Sequence, residues 1–153
     1  MRAAEPNEAG ARLPGTTVEL LNAIPGGSRL MEWFDGSVPS FHDAEVLSLV
    51  LERTRARCTI KIHTFQMTSE IDVNGFFVLD KHTLVSFHLE GVTNLELNDF
   101  NHQNAIYGLA LSRTADQSIR LELDQCYGLF GFVEASVLRI DLEPGKPSEG
   151  VHS

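Results

Sequence analysis

The chain has 153 residues, 42% of them hydrophobic and 22% charged, with a formal net charge of -9. That length fits one domain with a real core, because a domain of this size buries about 68–70% of the surface its unfolded chain exposes. The acidity argues against an electrostatic grip on nucleic acid, whose phosphates need clustered Lys and Arg; it suits a basic protein partner, or simple solubility.

Residues 1–14 are rich in Ala, Gly, Glu and Pro and read as a flexible N-terminal segment. They contain no apolar h-region, so no secretory signal is visible, and no stretch of the chain approaches the roughly 18 apolar residues of a membrane span. No membrane association and a reducing, cytoplasmic compartment are therefore the expectation. Thr16 and Glu19 then have the spacing of a capping box, ahead of the apolar stripe Leu20, Leu21 and Ile24. Pro25-Gly26-Gly27 stops this short helix. Leu30 to Phe34 reads as a second short helix or an aromatic loop, with Trp33 and Phe34 capping an open end of the core.

The chain is organised around Pro39-Ser40-Phe41-His42-Asp43-Ala44-Glu45-Val46, which leads into its clearest strand. Leu47, Leu49 and Leu51 share a parity and are expected on one face, with Ser48 and Glu52 on the other. A tight polar connection at 53–57 leads to the alternation Cys58, Ile60, Ile62, so the two runs form a β-hairpin. Residues 67–80 carry the turn signal Asn74-Gly75 and read as a strand or a partly ordered segment. Two further strands follow, 83–90 with Val85, Phe87 and Leu89 inward, and 92–97, with Gly91 permitting a turn or bulge. After the polar loop 98–104, strands are expected at 105–111 and at 119–124, where Ile119, Leu121 and Leu123 point inward. Residues 127–133 and 138–142 read as two halves of one long strand, with a bulge or bend at 134–136.

No helical crossover separates the strands, so the sheet should be antiparallel with hairpin connections. The expected fold is mainly β (α+β): a curved antiparallel sheet or sandwich of about seven strands with one or two short N-terminal helices. It occupies residues 15–143, and residues 144–153 form a flexible C-terminal tail.

The chemistry-bearing residues are few. Cys58 and Cys126 belong to no CxxC or CxxH pattern and read as small buried hydrophobes, bridged only if the strands set them side by side. His42-Asp43 is the most suggestive pair, because a carboxylate can orient an imidazole as a general base or metal ligand. Adjacent residues at the mouth of a strand point to opposite faces, however, and both side chains could instead hold backbone groups. His42, His63, His82, His88 and His102 lack HxH or HxxxH spacing, so no metal and no cofactor is expected. There is no GxSxG elbow, no GxxxxGK[ST] loop and no GxGxxG. The loop Asn98-Asp99-Phe100-Asn101-His102-Gln103-Asn104 rings one aromatic with polar groups, as a contact loop does and as a self-capped turn also does.

The Pro39–Val46 block and its leucine-alternating strand resemble the opening motif of the bacterial immunity protein 50 family. Phe87-His88-Leu89-Glu90-Gly91-Val92, Leu95–Asn101 with Gln103-Asn104-Ala105-Ile106, Tyr127-Gly128, Ile24-Pro25-Gly26 and Trp33-Phe34 are similar too, so the likeness spans roughly residues 20–142. The resemblance implies a non-enzymatic protein made beside a secreted polymorphic toxin, which it binds and blocks inside the producing cell. It carries over no catalytic residue. Its motif positions are Phe41, His42, Asp43, Asp99, Asn101 and Asn104, with Phe100 beside them as a possible partner contact. The alternative is a small-ligand or metal binder, or an enzyme, using His42, Asp43 and His102.

Overall fold

A computed structural model describes residues 15–148, so the expected N-terminal segment 1–14 and the end of the expected tail, 149–153, lie outside the described residues. Six antiparallel strands form one closed barrel: β1 (Glu45–Glu52), β2 (Arg57–Ile71), β3 (Phe77–Asn98), β4 (Ala105–Arg113), β5 (Ile119–Tyr127) and β6 (Phe130–Pro144). Their order around the barrel is β1-β2-β3-β6-β5-β4. Two short helices precede them, α1 (Val18–Ala23) and α2 (Gly27–Trp33). Among the described residues no helix is long and apolar enough to cross a membrane.

The barrel is filled by alternating side chains, as small barrels are. Cys58, Ile60 and Ile62 on β2 face Leu89, Phe87 and Val85 on β3, and those face Leu138, Ile140 and Leu142 on β6. All nine are buried, as are Ile119, Leu121 and Leu123 on β5. Phe87 is wholly buried and meets the ring of Phe41 edge-on, with centroids 5.7 Å apart. Burial without a charged partner pushes the Cys58 thiol up to about 11, so it stays protonated.

Several expectations change on folding. The runs 83–90 and 92–97 are one strand, so six strands stand where about seven were expected. That strand bends where Thr93 is the extra residue opposite the Ala135–Glu134 step, so the irregularity foreseen in 134–136 sits on the partner strand. Tyr127 ends β5, and β6 begins at Phe130 after a turn. A second bulge at Leu47 resets the parity of β1: Val46 opposite Ile62 and Leu49 opposite Ile60 are the inward residues. Leu51 keeps the inward register opposite Cys58 but lies at the barrel rim and is exposed. Cys126 is exposed rather than buried, because the burial alternation of β5 stops at Asp124, and both cysteines are free thiols.

The helices close one end of the barrel. Thr17, not Thr16, caps α1 by accepting the Leu20 N–H at 3.1 Å. Thr16 instead accepts the Leu111 N–H at 2.9 Å, fastening the chain to β4. The Pro25 carbonyl accepts the Ile140 N–H at 2.9 Å, and a Cβ on Gly26 would lie 1.8 Å from the Ile140 carbonyl oxygen, so only glycine fits there. Leu30, Met31 and Phe34 are buried under this cap. Trp33 anchors it, donating its indole N–H to the buried Thr83 hydroxyl at 2.6 Å.

Phe87→Ala should cost about 3–5 kcal/mol, because it empties the barrel centre and removes the Phe41 contact. Urea denaturation measures this, and a loss under about 1 kcal/mol would contradict the packing described.

Candidate functional site

The seam of the barrel is built from the Phe41–Val46 knot. β1 and β4 share a single registered pair, Glu45 opposite Ala105. Three backbone hydrogen bonds surround it: Asp43 N–H to Ile106 O at 3.0 Å, Ile106 N–H to Ala44 O at 2.9 Å, and Val46 N–H to Asn104 O at 2.8 Å. Phe41 and Asp43 adopt the left-handed conformation, with φ of 63° and 64°. Asp tolerates it; for Phe it costs about 1–2 kcal/mol. Burying the Phe41 ring against Phe87 returns about 1.5–3 kcal/mol, so burial wins and the turn is held.

That turn brings His42 and Asp43 together, contrary to the expectation from an extended strand. His42 Nδ1 lies 3.2 Å from Asp43 Oδ2, and both side chains are about half exposed. The imidazole stands edge-on to Tyr107, with centroids 4.6 Å apart. His42 also lies on a ridge between two grooves. One, of about 270 Å³, is lined by Val38, Tyr107, Leu109 and Asp124. The other, of about 290 Å³, is lined by Phe34, Phe41, Phe65 and Met67.

The loop 98–104 is held from within by Asn104, which is buried. Its Oδ1 accepts the N–H groups of Asn101 and Leu129, each at 2.9 Å, and its Nδ2 donates to the Asn101 carbonyl at 2.8 Å. The turn it reaches passes so close that a Cβ on Gly128, where φ is +84°, would sit 2.6 Å from Asn104 Oδ1. Asn104 therefore ties the loop, the seam and the β5–β6 turn together. The other loop residues face outward: Asp99, Phe100, Asn101 and His102 are exposed, Phe100 by 56%. Asn101 Oδ1 accepts the His102 N–H at 2.7 Å and lies 2.8 Å from His102 Nδ1, so His102 is engaged within its own loop. His102 borders neither groove beside His42. Among the described residues, no group of three or more His, Cys, Asp or Glu side chains converges on a point that could hold a metal ion.

Two features lie outside the sequence-predicted site. His63 Nε2 and His82 Nδ1 are 3.0 Å apart and their rings are stacked, with Phe65 against both. Desolvation, and then the charge of Lys146, lower the His82 pKa, with Asp80 opposing them. Beyond this pair, β2 and β3 run past their neighbours as a two-stranded arm. Pairing with β1 ends at His63, and pairing with β6 ends at Thr83. Residues 67–80, expected as a strand or a partly ordered segment around the Asn74-Gly75 turn, are the end of β2, a turn and the start of β3; that they overhang depends on where β1 and β6 stop.

No family model matches the chain, and no curated protein or solved structure matches it. The resemblance to the immunity protein 50 family rests on the residues quoted for it.

Asn104→Ala should cost about 2–4 kcal/mol, since it strands buried N–H and C=O groups at the seam, whereas Phe100→Ala should stay within about 0.5 kcal/mol. Chemical denaturation of both variants checks the order, and equal losses would refute it. The lowered His82 pKa means that the unfolded chain binds its proton more readily. Its contribution to stability is full above pH 6.5, the ordinary histidine value, and falls away below it. Stability measured at pH 7.5 and 5.5 should fall less in His82→Gln than in the wild type; an equal fall would refute this.

Proposed function

We propose that this protein binds another protein, a cognate polymorphic toxin, and neutralises it inside the producing cell without catalysis. The observation that carries the reading is the loop at 98–104. Asn104 fixes its backbone, so Phe100 and its polar neighbours Asp99, Asn101 and His102 meet a partner without first being ordered. Preorganised aromatic anchors with polar surroundings suit tight protein contacts, because little entropy is lost on binding. The net charge of -9 supports a basic partner, since opposite potentials speed encounter. The resemblance to the immunity protein family supplies the toxin.

A second reading has its own support in the His42–Asp43 pair on the ridge between two grooves. A carboxylate 3.2 Å from Nδ1 orients an imidazole and leaves Nε2 as a base or ligand.

Co-expression with the toxin from the adjacent open reading frame separates the two. Binding predicts rescued growth, a complex that co-purifies, and rescue that survives His42→Ala but weakens in Phe100→Ala. No rescue and no complex would overturn it. Rescue lost in a stable His42→Ala variant would favour the second reading.

A further inference from the structure

We propose that the arm formed by residues 65–82 is a second docking surface, and that its partner is a protein segment with an apolar centre and basic surroundings. Met67 pairs with Leu79 and Ile71 pairs with Phe77 across the two strands. Leu79 and Phe77 are two apart on β3, so all four side chains share one face. Every one of them is exposed, and Phe76 and Val73 at the tip are exposed by 69% and 98%. Contiguous apolar surface of this kind marks an interaction site, and an isolated two-stranded ribbon gains little stability of its own from such residues. The face is continuous with the groove beside His42, because Met67 and Phe65 line that groove together with Phe34 and Phe41.

The arm is held ready. At its base Lys81 Nζ donates to the Trp33 carbonyl at 2.7 Å and lies 3.2 Å from Asp35, while Thr83 donates to the Lys81 carbonyl at 2.7 Å. In the middle the Thr68 hydroxyl donates to the Val78 carbonyl at 2.8 Å. At the tip Asp72 Oδ1 accepts the N–H groups of Asn74 and Phe76. These bonds keep the apolar face presented without a core behind it, which lowers the ordering cost of binding.

Charge selects the occupant. Residues 65–82 carry Glu70, Asp72 and Asp80 against Lys81, which is tied to the Trp33 carbonyl and Asp35, with Lys146 near His82. A second copy would bring the same acidic arm and another net charge of -9. The fourteen residues before Gly15 contain only Met1 and Leu13 as large apolar side chains, too few to cover the arm. Glu70 and Asp80 alternate to the side of the ribbon opposite Ile71 and Leu79, so a segment with an apolar centre covers the face while its flanking cations reach these carboxylates around the edge.

The test needs no toxin, so it can fail while the neutralisation reading holds, and the reverse. Full-length protein is titrated by NMR with an alternating Leu–Lys peptide and with its Leu–Glu counterpart. The Leu–Lys peptide should shift amides between Met67 and Leu79 and bind more weakly as salt rises; the Leu–Glu peptide should not bind. Ile71→Ser/Phe77→Ser should weaken binding about tenfold or more. Glu70→Lys/Asp80→Lys, which leaves the apolar face and the core intact, should weaken it and flatten the salt dependence. Equal binding of both peptides, no binding of either, shifts confined to 98–104, unchanged affinity in the variants, or self-association of the wild type through the arm would each overturn the proposal.

Discussion

Strands β1 and β4 share one registered pair, the residues flanking it add three backbone hydrogen bonds, and these few contacts convert a curved sheet into a closed barrel. Without them β1 and β4 would be the two free edges of the sheet. The knot at 41–46 exists to make them. It places Phe41 and Asp43 in the left-handed region, and the buried Phe41–Phe87 contact outweighs the cost. Asn104 completes the closure from the other side, bonding the backbone of its own loop and of the β5–β6 turn through one side chain.

This arrangement separates architecture from surface. Phe41, Asn104 and the backbone of Asp43 are committed to the seam, while His42, Asp99, Phe100 and His102 remain exposed on the segments that the seam holds still. The arm follows the same logic at a different place. Its base is clamped to α2 by Lys81 and by the Trp33–Thr83 bond, so a segment without a core still has a defined direction. Rigid elements that carry exposed aromatic and aliphatic groups suit recognition, because binding then costs little ordering.

Much of the barrel was legible in the sequence for a plain reason. Strands with one buried face must alternate, and 58–62, 85–89, 119–123 and 138–142 do so. The misreadings cluster where parity breaks without a marker. The bulge at Leu47 falls in a run of leucine and valine that fits either register. Thr16 and Thr17 are both good caps, and only the position of β4 decides which is free to serve. The His42–Asp43 contact was hidden because a positive φ at Asp43 cancels the alternation that adjacent residues normally show. The burial of Asn104 was hidden too, since one of its partners, Leu129, is distant in sequence. The overhang of the arm is a property of its neighbours' lengths, which no local pattern in 65–82 records.

Native-state hydrogen exchange at the seam tests the central claim most directly. If the knot closes the barrel, the amides of Asp43, Val46 and Ile106 should exchange only through the same large opening that exposes Ile60 and Phe87 in the barrel wall. Seam amides that exchange at loop rates, while those of β3 and β6 stay protected, would show an open sheet and contradict the account.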